Sequence, residues 1–348
     1  METDFETGPR AEYSENLIRE IEAYFGLGKI LTQMDLGGAY NLNLLLHSSN
    51  GDFVARVYRP WVNPDRLTFL QAVKHGLRAA DLPLPESLGW VAGNRIGLKM
   101  DRLIEVERFI PSERGSAGWM YHIKAYSMLG RIHQALKEQE QSLTFVPPVV
   151  HNYGHPAELL GWLRKTTSYI THQEPASERD TALAVCSQSA EILKYLNTWW
   201  KQTGQDLPQQ LVHGDYGAEN ILWRRGEITA LLDFDLADIH ERVFELAYTT
   251  YWLFKRSEGK KSPEKWPWQR LPELLTAYQN GNGQALSADE LNSIPIEMAR
   301  VPYYWIATAG FEADPVDAVL ALSDDLDWAK WLITHPNEVL AHCKSLSS

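Results

Sequence analysis

One segment, residues 211–247, constrains this chain more than any other, and it reads LVHGDYGAENILWRRGEITALLDFDLADIHERVFELA. Two apolar runs, 221–223 and 228–232, flank the four residues RRGE. A short polar stretch with a glycine between two apolar runs is typical of a turn that joins antiparallel strands. The segment therefore predicts a β-hairpin, with polar residues gathered at its open end.

The open end of this hairpin carries an amide and a carboxylate. Antiparallel pairing about the turn places Asn220 across from Leu231 or Leu232, and thus close to Asp233. Opposed Cα atoms in such a pair lie about 4.5–5.5 Å apart. Hard divalent cations prefer oxygen ligands, and Mg²⁺ is usually held by one or two protein groups together with substrate phosphates. Asn220 and Asp233 are therefore predicted to bind Mg²⁺ and a nucleotide.

A second carboxylate precedes the hairpin. Asp215 follows the apolar pair Leu211-Val212 on a turn that contains a glycine, which leaves its carboxylate at the same edge as Asn220 and Asp233. A carboxylate there can orient a hydroxyl and accept its proton. Phosphoryl transfer through a loose transition state depends mainly on such positioning. Asp215 is therefore predicted to act on an acceptor hydroxyl.

The whole chain allows two lobes. Its 348 residues exceed the length at which one hydrophobic core stops growing, and 44% of them are hydrophobic. The net charge of -12 argues against nucleic acid as a partner and is compatible with a cationic small molecule. We also expect no membrane partner and a cytoplasmic location, because no apolar segment approaches a membrane span and the two cysteines have no pairing pattern. The sequence does not predict the oligomeric state.

Periodicity divides the chain into a strand-rich front and a helical back. Strands are predicted over residues 30–36, 39–47 and 52–58, with further strand in the segment GLKMDRLIEVERF. Helices are predicted over 66–80, 120–136, 159–170 and 181–203, and again from 243 onward. The pattern predicts an α+β fold with a β-rich lobe over 1–109 and a helical lobe over 110–348.

These motifs resemble those of the aminoglycoside phosphotransferase family, which includes choline kinase-like and type II homoserine kinase-like enzymes. The resemblance rests on HGDYGAEN and LLDFD, supported by LGGAYNLNLLL, FVARVYR and LGRIHQAL. The resemblance spans about residues 30–254. Its two catalytic motifs, HGD and DFD, are specific for the family when they occur together. It implies a two-lobed protein-kinase-like fold and ATP, or alternatively GTP, as phosphate donor with Mg²⁺.

The resemblance also implies roles for individual residues. Asp215 becomes the catalytic base and His213 a brace of the catalytic loop, while Asn220 and Asp233 become metal ligands. The implied nucleotide-binding residues comprise a glycine turn, a strand cation and a hinge that receives the adenine: Gly37, Gly38, Asn41, Arg56, Glu107, Phe109 and Ile110.

Three positions depart from the family pattern. Arg56 stands where a lysine is usual, and its guanidinium can donate two hydrogen bonds to one phosphate group. The helix predicted over 66–80 contains no acidic residue, so the usual partner carboxylate is missing, and Gln71 is the nearest polar substitute. Glu245 replaces an aspartate, and we expect it to brace the loop. Asp235 is predicted to cap the following turn rather than to bind metal.

The predicted function is transfer of the γ-phosphate of ATP to a hydroxyl of a small molecule, which would be an aminoglycoside, an amino alcohol, a sugar or an amino acid. Two alternatives remain open: a non-catalytic, pseudokinase-like nucleotide-binding module, and a protein Ser/Thr kinase of the same fold. The motif HNYGH contributes His151 and His155, but the sequence offers no third ligand beside them, so no metal is predicted there. His133 is predicted to be structural.

Overall fold

The computed structural model describes residues 10–38, 41–113, 118–149, 151–172, 178–257 and 262–343. Within these ranges the strands are β1 (Ile30–Asp35), β2 (Leu42–Ser48), β3 (Gly51–Val57), β4 (Ser87–Ala92), β5 (Leu103–Arg108), β6 (Gln209–Val212), β7 (Ile221–Arg224), β8 (Glu227–Leu231) and β9 (Asp238–Glu241). The helices are α1 (Glu15–Phe25), α2 (Pro64–Ala79), α3 (Trp119–Gln139), α4 (Pro156–His172), α5 (Arg179–Gln202), α6 (Arg242–Ser257), α7 (Leu271–Asn282), α8 (Ala288–Thr308), α9 (Pro315–Leu320), α10 (Ser323–Thr334) and α11 (Pro336–Cys343).

The chain forms two compact units that are discontinuous in sequence. The first unit falls within residues 1–115, 141–150 and 219–235, and the second within 116–140, 151–218 and 236–348. The hairpin β7–β8 thus belongs to the first unit, although it follows residues of the second. The predicted division at residue 109 stays a prediction.

The first unit is built on a five-stranded antiparallel sheet in the order β1-β2-β3-β5-β4. Alternate residues of its central strands, such as Leu44, Leu46 and Ala55, are fully buried in the core of this unit. The side chains between them therefore point to the other face of the sheet. Asn43 pairs with Arg56, and Arg56 pairs with Glu105, so three polar residues lie side by side across three strands.

Helix α2 begins at a well-formed cap. The Asn63 side chain accepts a hydrogen bond of 2.8 Å from the Arg66 N–H, and Pro64 occupies the first helical position, where its missing N–H costs nothing. The buried side of the helix includes Leu67, Leu70, Val73 and Leu77, the four residues whose spacing predicts it. The same side also buries Lys74, which the apolar pattern alone does not explain.

The second unit consists mainly of helices around the two-stranded sheet β6–β9. Helix α8 is buried along most of its length and begins with a capping box in which Ser287 and Glu290 satisfy each other's backbone N–H groups. Strand β9 runs antiparallel to β6 and pairs Asp238 with Val212, directly before the HGD motif. This sheet therefore fixes the starting point of the motif.

Most predicted elements are present, and the α+β class is confirmed. The prediction of a strand over 39–47 corresponds to β2, but its first two residues lie outside the described residues. Strands β4, β6 and β9 and helix α1 were not predicted. Helix α1 has a Ser14 cap and buries Leu17, Ile18 and Ile21 at helical spacing, so its signal was present in the sequence. None of the described helices combines the length and the apolar character that crossing a bilayer requires.

Candidate active site

The hairpin of the first unit has the predicted geometry. Strands β7 and β8 pair Ile221 with Leu231, and the turn places Arg225 and Gly226 at φ 53° and 78°, as a type I′ turn requires. The Leu232 N–H donates to the Asn220 carbonyl at 2.9 Å. Asn220 therefore lies across from the neighbour of Asp233, and the convergence of their side chains on one cation stays a prediction.

Asp233 has a backbone conformation that few side chains tolerate. Its φ of 62° is in the left-handed region, where aspartate is one of the less strained residues. Residues held in such conformations cluster at functional sites. The side chain is half-buried, and its Oδ1 accepts a hydrogen bond of 3.0 Å from Arg56 Nη1.

Asp235 lies beside this pair and corrects one expectation. Its Oδ1 accepts from Arg56 Nη1 at 3.1 Å, and its Oδ2 accepts from Asn41 Nδ2 at 2.6 Å. The carboxylate therefore joins the strand cation to the predicted nucleotide-binding asparagine, and the prediction that it caps the following turn is wrong. Sequence reasoning missed the contact because Asn41 and Asp235 are 194 residues apart.

The pKa values of Arg56 and Asp235 depend on burial and on their charged neighbours. Burial lowers the pKa of the Arg56 guanidinium, but the Asp233 and Asp235 carboxylates outweigh burial and hold that pKa well above its usual value. Burial raises the pKa of the Asp235 carboxyl group, and Arg56 offsets this only in part. The lining of a small adjacent pocket includes Arg56, Asp233, Asp235, Lys74 and Glu107. The pocket therefore presents both a fixed cation and carboxylates.

The glycine turn between β1 and β2 has a backbone conformation that other residues rarely adopt. Gly37 and Gly38 have φ values of 84° and 115°, and a Cβ on Gly38 would lie 2.8 Å from Asn43 Nδ2. Asn43 Nδ2 donates to the Gly37 carbonyl at 3.0 Å, and the Gly37 N–H donates to Asp35 Oδ1 at 2.8 Å. Glycine is required here because both positions need positive φ.

Helix α2 makes no ion pair with Arg56 in the described residues, as predicted, and pairs instead with β5. Helix α2 supplies the cation, Lys74, whose Nζ lies 2.7 Å from Glu105 Oε1 and 2.8 Å from Glu107 Oε1 on β5. Gln71 donates to Glu105 at 3.2 Å, and Tyr58 donates to the other oxygen of Glu105 at 2.6 Å. Helix α2 is therefore anchored to β5, and Arg56 is left to pair with Asp233 and Asp235.

The predicted hinge begins at the end of β5. The Glu107 side chain binds Lys74, and the Phe109 N–H donates to the Asp52 carbonyl at 3.0 Å. Ile110 is the second residue after the strand. A role for Glu107, Phe109 and Ile110 in binding adenine stays a prediction.

In the second unit, one buried carboxylate braces the HGD loop. Glu245 accepts hydrogen bonds from the backbone N–H groups of His213 at 3.0 Å and Gly214 at 2.7 Å. It also shares a 2.7 Å hydrogen bond with His133 Nε2 and accepts one of 3.0 Å from the Tyr153 hydroxyl. The predicted bracing role of Glu245 and the structural role of His133 are thus confirmed.

The electrostatics of Glu245 follow from these contacts. Burial raises the pKa of its carboxyl group, but the hydrogen bond and charge of His133 and the His213 backbone donor outweigh burial and lower the pKa to about 2. The group is therefore ionised at neutral pH. An ionised, fully buried carboxylate holds the loop more firmly than a neutral group would, because its hydrogen bonds are charge-assisted.

Gly214 permits the loop to turn. Its φ is 89°, and a Cβ at this position would lie 1.9 Å from the Leu236 carbonyl oxygen. After the turn, the Asp215 N–H donates to His213 Nδ1 at 3.2 Å. The His213 side chain thus fixes the backbone of Asp215, which agrees with the predicted brace.

Two residues that the sequence did not single out hold the Asp215 carboxylate. Asn152 Nδ2 and the Tyr248 hydroxyl both donate to Asp215 Oδ1, each at 2.9 Å. Tyr248 lies one helical turn after Glu245 on α6, so the FELAY pattern contained a signal for it. Asn152 gave no signal of its own, because the motif HNYGH that contains it pointed only to its two histidines.

Each unit carries groups of the kinds that its predicted role requires. The first unit holds an amide and carboxylates suited to a hard cation, beside an arginine suited to phosphate. The second unit holds a carboxylate whose Oδ1 accepts from two donors, on a braced loop. Their roles in phosphoryl transfer stay predictions.

Comparisons with known proteins agree. A model described as the phosphotransferase enzyme family matches residues 33–291, and the chain belongs to that family. Homoserine kinase of Gluconobacter oxydans (strain 621H) is 24% identical over 331 residues, which cover 92% of this chain and 97% of that protein. The predicted family resemblance and the predicted class, a phosphotransferase enzyme, are confirmed.

Solved structures share the fold. The microcompartment-associated aminopropanol kinase has a TM-score of 0.60 at 14% identity and covers 93% of this chain and 98% of its own. Spectinomycin phosphotransferase in complex with ADP and spectinomycin has a TM-score of 0.54 at 13% identity and covers 96% and 94%. The predicted protein-kinase-like fold is confirmed by these neighbours.

Proposed function

We propose that this protein transfers the γ-phosphate of ATP to a hydroxyl group of a small molecule. The observation that carries the proposal is the Asp215 carboxylate, which accepts two hydrogen bonds of 2.9 Å from Asn152 and Tyr248 on a loop braced by Glu245. Such support fixes the orientation of the carboxylate, as a catalytic group requires. Membership of the phosphotransferase enzyme family gives the reaction type.

Asp215 is the proposed catalytic base. Asn152 and Tyr248 both donate to its Oδ1 and so orient the carboxylate that would receive the hydroxyl proton of the acceptor. In phosphoryl transfer the carboxylate contributes mainly by positioning the nucleophile. His213 and Glu245 hold the loop and do not contact the substrates in this proposal.

The first unit is proposed to bind the nucleotide. Asn220 and Asp233 offer oxygen atoms that fit Mg²⁺, which would neutralise phosphate charge when bound. Arg56, released from Asp233 or Asp235, would bind the phosphates, and the N–H groups of Gly37 and Gly38 would approach them. Glu107 to Ile110 would receive the adenine.

The acceptor is proposed to be a hydroxyl compound that carries an amine. The net charge of -12 favours a cationic group over an anionic one, and homoserine kinases are among the relatives. Homoserine and aliphatic amino alcohols are therefore the first compounds to test, followed by aminoglycosides and sugars. Turnover only of compounds without an amine would contradict this part of the proposal.

The test is a screen of hydroxyl compounds with ATP and Mg²⁺, read as ADP release and confirmed by detection of the phosphorylated product. On the acceptor found, Asp215→Asn should lower kcat by about 10²–10⁴-fold and leave the Kd for Mg-ATP nearly unchanged. Asp206→Asn, in a 3-10 turn before β6, is the matched control and should retain wild-type kcat.

Three outcomes would contradict the proposal. Full turnover by Asp215→Asn would mean that another group accepts the proton. Binding of Mg-ATP without phosphorylation of any compound would favour the alternative, a non-catalytic nucleotide-binding module. Phosphorylation of serine or threonine in protein substrates alone would favour a protein kinase.

A further inference from the structure

Three potential metal ligands meet in the second unit, in a cluster separate from Asn220 and Asp233. His151, Asp238 and His240 each offer one ligand atom, and these atoms all lie within 4.8 Å of one another. Asp238 and His240 are alternate residues of β9, so their side chains leave the strand on the same face. His151 comes from the segment before α4, which the sequence alone could not place beside β9.

In the described residues, one imidazole nitrogen of each histidine in this region lacks a hydrogen-bond partner. Within the described chain, His151 Nδ1 and His240 Nε2 are buried without one, and so is Nδ1 of the neighbouring His155. Most buried side-chain nitrogens in proteins have a partner, and an unmatched one calls for an unseen water or ion. Three unmatched imidazole nitrogens in one place therefore indicate a ligand that accepts their lone pairs.

The distance between His240 and Asp238 fits two ligands that share one metal ion. His240 Nε2 and Asp238 Oδ2 are 3.2 Å apart, yet the nitrogen makes no hydrogen bond. Two ligand atoms that share a tetrahedral Zn²⁺ at about 2.0–2.1 Å lie about 3.3 Å from each other. The pair is therefore already spaced as two ligands of one ion.

A carboxylate is placed to orient one of the ligands. Glu158 Oε1 lies 3.8 Å from His151 Nε2, on the side of the ring opposite the unpartnered Nδ1. Histidines that bind metal through one nitrogen usually direct the other towards a carboxylate or carbonyl. His151 thus has a free nitrogen on one side and a carboxylate on the other.

We propose that His151, Asp238 and His240 bind one divalent transition-metal ion. Two imidazoles and one carboxylate form the donor set of a Zn²⁺ site with an open fourth position, which a water or His155 can fill. Mg²⁺ and Ca²⁺ are excluded as occupants because they prefer oxygen ligands.

The position of the site indicates what the ion does. Asn152, which donates to Asp215, directly follows His151, and the ring of Tyr153 packs on His240 with centroids 4.7 Å apart. Strand β9 in turn pairs with β6, which leads into the HGD loop. A bound ion would tie the segment that holds Asp215 to the strand beside its loop, and so His151 and His240 are positioning residues.

The test uses the full chain without a histidine tag. After chelation and removal of the chelator, Zn²⁺ alone and Mg²⁺ alone are titrated by calorimetry, and Co²⁺ is added to follow its visible absorption. We expect one equivalent of Zn²⁺, no uptake of Mg²⁺ at this site, and a Co²⁺ spectrum with bands typical of nitrogen and oxygen ligation in a low-coordinate site.

Substitutions of the proposed ligands test whether the ion binds at this cluster. His240→Ala and His151→Ala should each lose the equivalent of Zn²⁺, and Asp238→Asn should weaken its binding at least tenfold. His75→Ala, which removes an exposed histidine of α2, should bind as the wild type does. Asp238→Asn keeps the size of the side chain, so it tests the site even if an alanine variant does not fold.

Two results would overturn the proposal: a wild type that takes up no Zn²⁺ or Co²⁺, or unchanged stoichiometry and affinity in both histidine variants. These measurements need neither nucleotide nor acceptor. Failure of the metal proposal and failure of the proposed phosphotransferase reaction are therefore distinguishable.

Discussion

Tyr248 offers the sharpest test of how Asp215 is oriented. Tyr248→Phe removes one of the two donors to Asp215 Oδ1 and keeps the ring. A net loss of about 1 kcal/mol for one hydrogen bond corresponds to a roughly five- to tenfold fall in kcat, with KM for ATP unchanged. Tyr195→Phe changes an exposed tyrosine of α5 and should have no effect. An equal loss in both variants, or a changed KM for ATP in Tyr248→Phe, would argue against this positioning role.

Gly214 allows a stability test with a matched control. Gly214→Ala forces a Cβ to within 1.9 Å of the Leu236 carbonyl at a φ of 89°, so we expect a loss of more than about 2 kcal/mol of unfolding free energy. Gly161→Ala lies within α4, where a Cβ would meet only Arg164 Nη2 at 3.9 Å. It should stabilise the protein by about 0.5–1 kcal/mol. Chemical denaturation measures both, and similar values for the two variants would contradict the argument.

Glu245 gives the stability of the loop a pH dependence. Its folded pKa of about 2 lies below the usual value of 4.5, so the ionised group stabilises the fold fully above about pH 4.5. This contribution, about 3 kcal/mol at most, is lost as the pH falls from about 4.5 to 2. Glu245→Gln should therefore be less stable than the wild type at neutral pH, and the difference should shrink in acid. Unfolding curves from about pH 7 to pH 3 measure this, and a constant difference would refute the assignment.

At the scale of elements, α2 and β5 are joined by a buried ion pair. Lys74→Met leaves the buried Glu105 without its cation, and we expect a loss of about 3–5 kcal/mol of unfolding free energy. Adding Glu105→Gln removes the unpaired charge and should recover part of that loss. Arg270→Ala breaks an exposed pair with Glu273 and should cost less than about 1 kcal/mol. Additive effects of Lys74→Met and Glu105→Gln would mean that the two elements are not coupled through this pair.

The local parts of the candidate site could be predicted from the sequence. The hairpin that places Asn220 opposite Leu232 follows from two apolar runs and a turn, because antiparallel pairing leaves little freedom once the turn is set. Long-range polar contacts could not be predicted. Lys74 reads as an ordinary surface lysine until β5 places Glu105 beside it. Asn152 likewise has no periodicity that would link it to Asp215, 63 residues later.

The difficulty of predicting long-range contacts also explains why the sequence did not predict the cluster of potential metal ligands His151, Asp238 and His240. The motif HNYGH supplied histidines without a third ligand, whereas Asp238 and His240 stand 87 and more residues further on, in a strand too short to be predicted. Local sequence patterns predict helices and strands. The residues of a site, in contrast, come together only when distant elements pack against one another. A sequence without detectable local ligand spacing therefore gives weak grounds for excluding a metal.

At the scale of the whole molecule, nucleotide binding should be separable from catalysis. A ligand that binds only the folded chain raises the unfolding free energy, by about 2.7 kcal/mol at a concentration of 100 times its Kd. Mg-ATP should therefore raise the thermal midpoint of the wild type and of Asp215→Asn to a similar extent. Asp233→Asn and Arg56→Ala should lose most of the shift, because both change groups proposed to bind Mg²⁺ and phosphate.

The comparison needs a control for the removal of charge itself. Asp233 and Arg56 pair with each other at 3.0 Å, so either substitution also breaks an ion pair and changes the midpoint without ligand. The informative quantity is thus the shift caused by Mg-ATP in each variant, measured against the same variant with Mg²⁺ alone. Arg270→Ala, which breaks the exposed pair, should keep the wild-type shift. A full shift in Asp233→Asn and Arg56→Ala would move the nucleotide away from this cluster, and a shift lost in Asp215→Asn would mean that this carboxylate helps to bind the nucleotide.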